Sequence, residues 1–169
     1  MNKSEWYASL CAQLSSLLAG NQRKITILAN ASALLYDALS DVNWAGFYLY
    51  DEEQDALYLG PFQGKPACVH IPNGKGVCGS ALARRAVLRV DNVLEFPGHI
   101  ACDSASRSEI VLPLIKKDTC IGVLDIDSAR LRRFDETDEA GLNAFVDVLI
   151  RLNVSLPAGI CTTPHVPYV

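Results

Sequence analysis

The sequence predicts an α+β domain in which a central antiparallel sheet of about six strands carries N- and C-terminal helices packed on one face. Three observations predict it. Apolar residues recur at three- and four-residue intervals at both ends of the chain, the middle is a series of short β-rich runs, and those runs are joined by hairpin-length connections. The second sheet face is then free to hold a site.

The first helix is read from Lys3 to Leu18, with Trp6, Leu10, Leu14, Leu17 and Leu18 on one face, and Gly20-Asn21 ends it. A second helix should run from about Gln22 to Leu39, its inner stripe formed by Ile25, Leu28, Ala29, Ser32, Leu35 and Leu39. Trp44 to Tyr50 and Ala56 to Gly60 read as a hairpin around the polar turn Asp51-Glu-Glu-Gln-Asp, with Gly60-Pro61 breaking the second strand. Cys68 to Ile71 is a third short strand, Val77 to Arg85 a short helix, and Val87 to Val90 a further strand. A long irregular connection, Asp91 to Ser108, follows; connections of that length in small domains are commonly functional or disordered. Glu109 to Ile115 and Cys120 to Asp127 are two more strands across the Lys116-Lys-Asp turn. The last helix begins near Asp135 or Thr137, either able to cap it, and presents Leu142, Phe145, Val146, Val148, Leu149 and Leu152. We assign residues 1–152 to the domain and 153–169, Pro-rich and aperiodic, to an irregular extension.

The chain has 169 residues, 50% of them apolar, which suits one compact domain with a sizeable core. Its formal charge of -4 and lack of a Lys/Arg-rich block argue against nucleic acid or an anionic membrane surface as partner. The N-terminus has an early acidic residue and no apolar core of signal-peptide type, and no segment reaches bilayer-spanning length. A cytoplasmic location is therefore expected. In that compartment structural disulfides are rare, so six cysteines point to catalysis, metal binding or simple burial.

Cys102 stands out, because Phe96-Pro-Gly-His-Ile-Ala-Cys-Asp-Ser-Ala-Ser surrounds it with residues that shape loops and helix starts. Cys68 and Cys78 are read in similar loop settings, where thiols are available for chemistry. Redox chemistry needs a thiolate of lowered pKa, a second thiol within reach and a proton donor. Cys102, ahead of Asp103-Ser-Ala-Ser, can meet the first requirement at a helical turn; Cys68 and Cys78 are the candidate resolving thiols. Cys11 and Cys120 lie in apolar patterns and are read as buried packing, and Cys161 receives no role.

Asp125 and Asp127 are one residue apart on a predicted strand and so share a face, while Glu109 at the head of the neighbouring strand can meet them. The bland alternative is a strand end facing water. Carboxylates held close together cannot all ionise, so one would keep a proton and serve as an acid. Trp44 and Tyr48, four apart on a strand, either wall a small apolar pocket or belong to the core.

Two competing motifs are weaker. Gly74-Lys-Gly-Val-Cys-Gly has dinucleotide-fingerprint spacing but lacks a buried first strand before it. Cys68, His70, Cys78, His99 and Cys102 are zinc-ligand types in a short span, yet no Cys-x-x-Cys pair seeds a site; His70 and His99 are read as polar residues bonded to backbone. No metal and no bound cofactor is expected.

Asn43-Trp-Ala-Gly-Phe-Tyr, Leu59-Gly-Pro-Phe-Gln-Gly-Lys-Pro-Ala-Cys, Gly74-Lys-Gly-Val-Cys-Gly, Phe96-Pro-Gly-His-Ile-Ala-Cys-Asp, Ser108-Glu-Ile-Val-Leu-Pro and Gly122-Val-Leu-Asp-Ile-Asp-Ser together resemble the free methionine-R-sulfoxide reductases, stand-alone GAF-domain enzymes. The resemblance spans about Trp6 to Leu152. It implies a GAF-like fold and reduction of free methionine-(R)-sulfoxide, with thioredoxin as reductant. It also implies Cys102 as the catalytic cysteine, Cys68 as the main resolving cysteine and Cys78 as an assisting or alternative thiol. Glu109, Asp125 and Asp127 match the family's acidic pocket and Trp44 and Tyr48 its aromatic wall. Attack by the Cys102 thiolate on the sulfoxide sulfur then needs a proton from Glu109 or Asp127, with Asp125 a candidate for holding the substrate ammonium group. The alternative from another class is a GAF-type small-molecule-binding redox sensor without turnover, and a zinc-binding structural domain is third. The oligomeric state is left open, a homodimer being one arrangement.

Overall fold

The computed structural model describes residues 1–20, 23–98 and 104–152. His99, Cys102, Cys161 and the expected extension 153–169 lie outside the described residues.

Helix α1, Lys3–Leu17, starts with a capping box: Asn2 accepts from the Glu5 amide, and Glu5 accepts from the Asn2 amide. Helix α2 spans Lys24–Ala38. The strands are β1 (Trp44–Asp51), β2 (Ala56–Gly64) and β3 (His70–Pro72), then β4 (Leu88–Val90), β5 (Ser108–Lys116) and β6 (Thr119–Ser128). Helix α3, Gly76–Arg84, separates β3 from β4, and α4, Glu136–Arg151, closes the described chain under a second capping box made by Asp135 and Asp138. A 3-10 turn, Val93–Glu95, lies in the long connection after β4. Among the described residues no helix is long and apolar enough to cross a membrane.

All sheet pairings are antiparallel and the strand order is β3-β2-β1-β6-β5-β4. The period of two along each strand sorts side chains onto two faces. Ala45, Phe47, Ile110, Leu112, Leu124 and Ile126 join the core beneath α1, α2 and α4, as the terminal-helix expectation requires. Trp44, Tyr48, Val111 and Val123 face the other way, where α3 adds Val77, Cys78, Ala81 and Leu82. That second face is thus roofed by one short helix.

The helix stripes differ in detail from expectation. Ile25 is 71% exposed and Ala29 is exposed, while Ile27 and Ala31 take the inward places in α2. In α1 the inward series is Tyr7, Leu10, Leu14, then Leu18 just past the helix, with Trp6 half-buried and Leu17 exposed. Tyr7 wins over Trp6 because its ring lies against Gly141 of α4, where a Cβ would come within 2.1 Å of it, and because its hydroxyl donates to Asp138 at 2.7 Å.

Gly60-Pro61 does not end the second strand. Tyr48 pairs with Leu59 and Gly46 with Phe62, so β2 carries one extra residue there. The extra residue forms a bulge, which tolerates proline's missing N–H, and the Pro61 carbonyl accepts from Ser32 of α2 instead. The third strand begins at His70, two residues later than expected, leaving Cys68 just ahead of it.

A second bulge sets the site. Ile115 pairs with Cys120 next to the turn, but Pro113 pairs with Val123, so β6 holds an extra residue near Gly122. Gly122 has φ +150, and a Cβ on it would come within 2.3 Å of the Tyr48 carbonyl oxygen, so glycine is needed here. Beyond the bulge Glu109 stands directly opposite Asp127, and Val111 opposite Asp125.

Candidate active site

Sheet register brings the predicted acids together. Asp127 lies between Glu109 of β5 and Trp44 of β1, and Asp125 between Val111 and Gly46. Glu109 and Asp125 are therefore diagonal neighbours on the face roofed by α3. Glu109 is 5% and Asp125 6% exposed, while Asp127 is half-buried. The water-facing alternative raised for the two aspartates fails for Asp125.

Cys78 is not the loop thiol the sequence suggests. It sits in the first turn of α3, 3% exposed, because the helix lays its apolar side on the second sheet face. Its Sγ donates to Glu109 Oε1 at 3.8 Å, and facing ligand atoms of Cys78, Glu109 and Asp125 all lie within 4.8 Å of one another.

Burial dominates the electrostatics here. It pushes the Glu109 carboxyl well above the usual range, and the neighbouring Asp125 and Asp127 push it further. Burial also raises Asp125, to about 6, against the lowering effect of hydrogen bonds from Cys78 and Glu109. Cys78 rises well above an ordinary thiol for the same reason, with Asp125 and Glu109 adding to it. A helix N-terminus favours a thiolate, but only modestly; desolvation beside carboxylates outweighs it. The three groups form a proton-holding cluster.

This cluster is also the group of metal-ligand types that converges among the described residues. It is not the set read from sequence. His70 is exposed at the β3 edge and stacks on Tyr58, with ring centroids 6.0 Å apart, where a backbone hydrogen bond was expected; His99 and Cys102 lie outside the described residues. Cys78 meets the acids as a hydrogen-bond donor, and burial raises all three groups above their ordinary values.

Trp44 and Tyr48 are both buried on this face and stacked, centroids 5.8 Å apart. Phe62 of β2, not singled out from the sequence, also stacks on Trp44, with centroids 5.2 Å apart. Its position after Gly60-Pro61 was the available signal, masked by ending the strand there. Trp44 Nε1 donates to the Lys65 carbonyl at 3.2 Å and Tyr48 Oη to the Cys68 carbonyl at 3.1 Å. The aromatic wall thereby anchors the segment carrying Cys68. Cys68 is disulfide-bonded, whereas Cys11, Cys78 and Cys120 are free. Cys120 is buried as expected, and Cys11 is only half-buried against the helical core.

A six-stranded antiparallel sheet of this order with the terminal helices on one face is the architecture of a GAF domain. The family model described as GAF domain matches residues 24–150. Free methionine-R-sulfoxide reductase of Escherichia coli (strain K12) is 58% identical over 146 residues, 86% of this chain and 87% of that protein. The X-ray structure of free methionine-R-sulfoxide reductase from Neisseria meningitidis in complex with its substrate is 44% identical, covers 90% of each chain and superposes with a TM-score of 0.86. The reduced form of Staphylococcus aureus fRMsr is 51% identical, with a TM-score of 0.83 over 86% of this chain and 94% of that one. The chain belongs to the GAF-domain family and, within it, to the free methionine-R-sulfoxide reductases.

Proposed function

We propose that this protein reduces free methionine-(R)-sulfoxide to methionine, with Cys102 as nucleophile, Cys68 as resolving thiol and thioredoxin as reductant. The observation that carries the reading is the enclosed Glu109–Asp125 pair, kept partly protonated beside the Trp44–Tyr48 wall, in a chain of this family.

A sulfoxide oxygen leaves poorly as oxide, so its departure requires proton delivery. Attack by the Cys102 thiolate on sulfur forms an Sγ–S bond while Glu109 or Asp127 supplies one proton that turns the oxygen into a hydroxyl; transfer of that hydroxyl to Sγ as the Sγ–S bond breaks releases methionine and leaves Cys102 as a sulfenic acid. The thiol of Cys68 then condenses with it, forming an S–S bond and expelling water. Exchange with the thioredoxin dithiol reopens that bond and oxidises thioredoxin. The disulfide state of Cys68 and the free state of Cys78 favour Cys68 as the resolving residue.

Asp125 Oδ1 is enclosed and takes no hydrogen bond among the described residues. Leaving such an acceptor unpaired costs about 1–3 kcal/mol, which a donor on the substrate, its ammonium group, would offset. Recognition of the free amino acid's charges excludes methionine within a polypeptide, where peptide bonds have removed them.

Incubation with free methionine-(R)-sulfoxide, thioredoxin, thioredoxin reductase and NADPH is expected to consume NADPH in proportion to substrate. Unchanged absorbance, with methionine equally absent under dithiothreitol, would reject the enzyme in favour of a binding sensor.

A further inference from the structure

We infer that Cys78 is a positioning residue: its thiol proton holds Glu109 and Asp125 in their shared arrangement, and the residue forms no disulfide in the cycle. The inference rests on the reading of Glu109 and Asp125 as part of the substrate site.

Cys78 Sγ donates to Glu109 Oε1 at 3.8 Å and lies within 4.8 Å of a carboxylate oxygen of Asp125, so one thiol faces two carboxyl groups on adjacent strands. A thiol is small and neutral, and it can rotate its single proton towards whichever neighbour is ionised. Beside the acids and Tyr48, the rest of the cluster around it on this face is apolar. Val77 and Ala81 come from α3, Leu57 from β2, Ile71 from β3 and Val111 from β5.

A resolving thiol has the opposite needs. It must ionise and must reach another sulfur to bonding distance. Cys78 is 3% exposed, and the titratable groups facing it are Glu109 from β5, Asp125 and Asp127 from β6, and Tyr48 from β1. Each acid that ionises opposes a thiolate. Cys68 is disulfide-bonded while Cys78 is free, so the oxidation at Cys68 does not draw on Cys78.

Removing the donor leaves ionised Glu109 and Asp125 less stabilised, so their protons should be held to higher pH. The test follows the C=O stretch of protonated carboxyl groups by infrared spectroscopy through a pH titration of the whole protein, which needs no activity. Cys78→Ala is expected to move the buried carboxyl titration up by about half a pH unit or more, and Cys78→Ser, which restores a donor, to return it towards wild type. In the thioredoxin-coupled assay Cys78→Ser should keep cycling, and the alkaline limb of kcat should move upward in Cys78→Ala. Cys78→Val, which fills the space without donating, replaces alanine if that variant does not fold. An unmoved carboxyl titration in the donorless variant overturns the inference, and so does a Cys78→Ser protein that releases one methionine and then stops. A wild-type protein that reduces no methionine sulfoxide sinks the enzymatic reading instead, while the infrared titration still decides the role of Cys78 within the cluster.

Discussion

Tyr48 donates its phenolic hydroxyl to the Cys68 carbonyl at 3.1 Å, so the aromatic wall and the segment bearing the disulfide cysteine form one hydrogen-bonded unit. Tyr48→Phe deletes that bond and keeps the ring. A loss of about 0.5–1.5 kcal/mol in urea unfolding is expected. Multiple turnover should slow more than single-turnover methionine release, because the segment held is the one proposed to close on the oxidised product. Equal slowing of both would place Tyr48 with the substrate alone.

The two sulfurs assigned to the cycle separate by stoichiometry. Cys102→Ser should release no methionine. Cys68→Ser should release about one methionine per chain and then stall with thioredoxin, detected by rapid quench and amino-acid analysis. Sustained turnover in either variant reassigns that sulfur.

Asp125 gives a pH-dependent stability with a definite sign. Its folded pKa, about 6, lies above the ordinary 3.8 because burial disfavours the charge, so the folded state binds more protons than the unfolded one between those values. The contribution is favourable below the lower value and is lost as pH rises through the upper one. Asp125→Asn removes the buried charge. It should therefore raise Tm at pH 8 by on the order of a few degrees, with the gap closing towards pH 4, as calorimetry at both pH values would register. A gap that widens on acidification contradicts the assignment.

Gly122 fixes the register that sets Glu109 opposite Asp127. At φ +150, with the Tyr48 carbonyl oxygen 2.3 Å from where a Cβ would lie, Gly122→Ala must strain or shift the β1–β6 contact. A destabilisation of about 1–3 kcal/mol is expected. The Glu109 carboxyl stretch should also move as the acid cluster loosens. A variant with wild-type stability and wild-type infrared titration would show the bulge to be dispensable.

The alternation of Asp125 and Asp127 within an apolar run was readable because a strand repeats every two residues, and the same rule paired Trp44 with Tyr48. The facing of Glu109 depended on more. Without the extra residue near Gly122 the turn would set Glu109 against Ile126, which belongs to the opposite core, so a local backbone irregularity decides whether the acids meet. Cys78 was misread for a related reason. Glycines around it signal a turn, but its burial follows from α3 docking across the sheet, a long-range event with no local mark. The errors in the stripes, one position at Trp6 in α1 and two positions at Ile25 and Ala29 in α2, arose where several apolar residues competed and tertiary contact, such as Tyr7 against Gly141, chose among them.

The sheet terminates on both sides in three-residue stubs, β3 and β4. So few unpaired backbone groups make a poor template for a foreign strand. Copies of this molecule that come together would do so by apposing helices or loops, leaving ribbon-like extension of the sheet disfavoured even at high concentration.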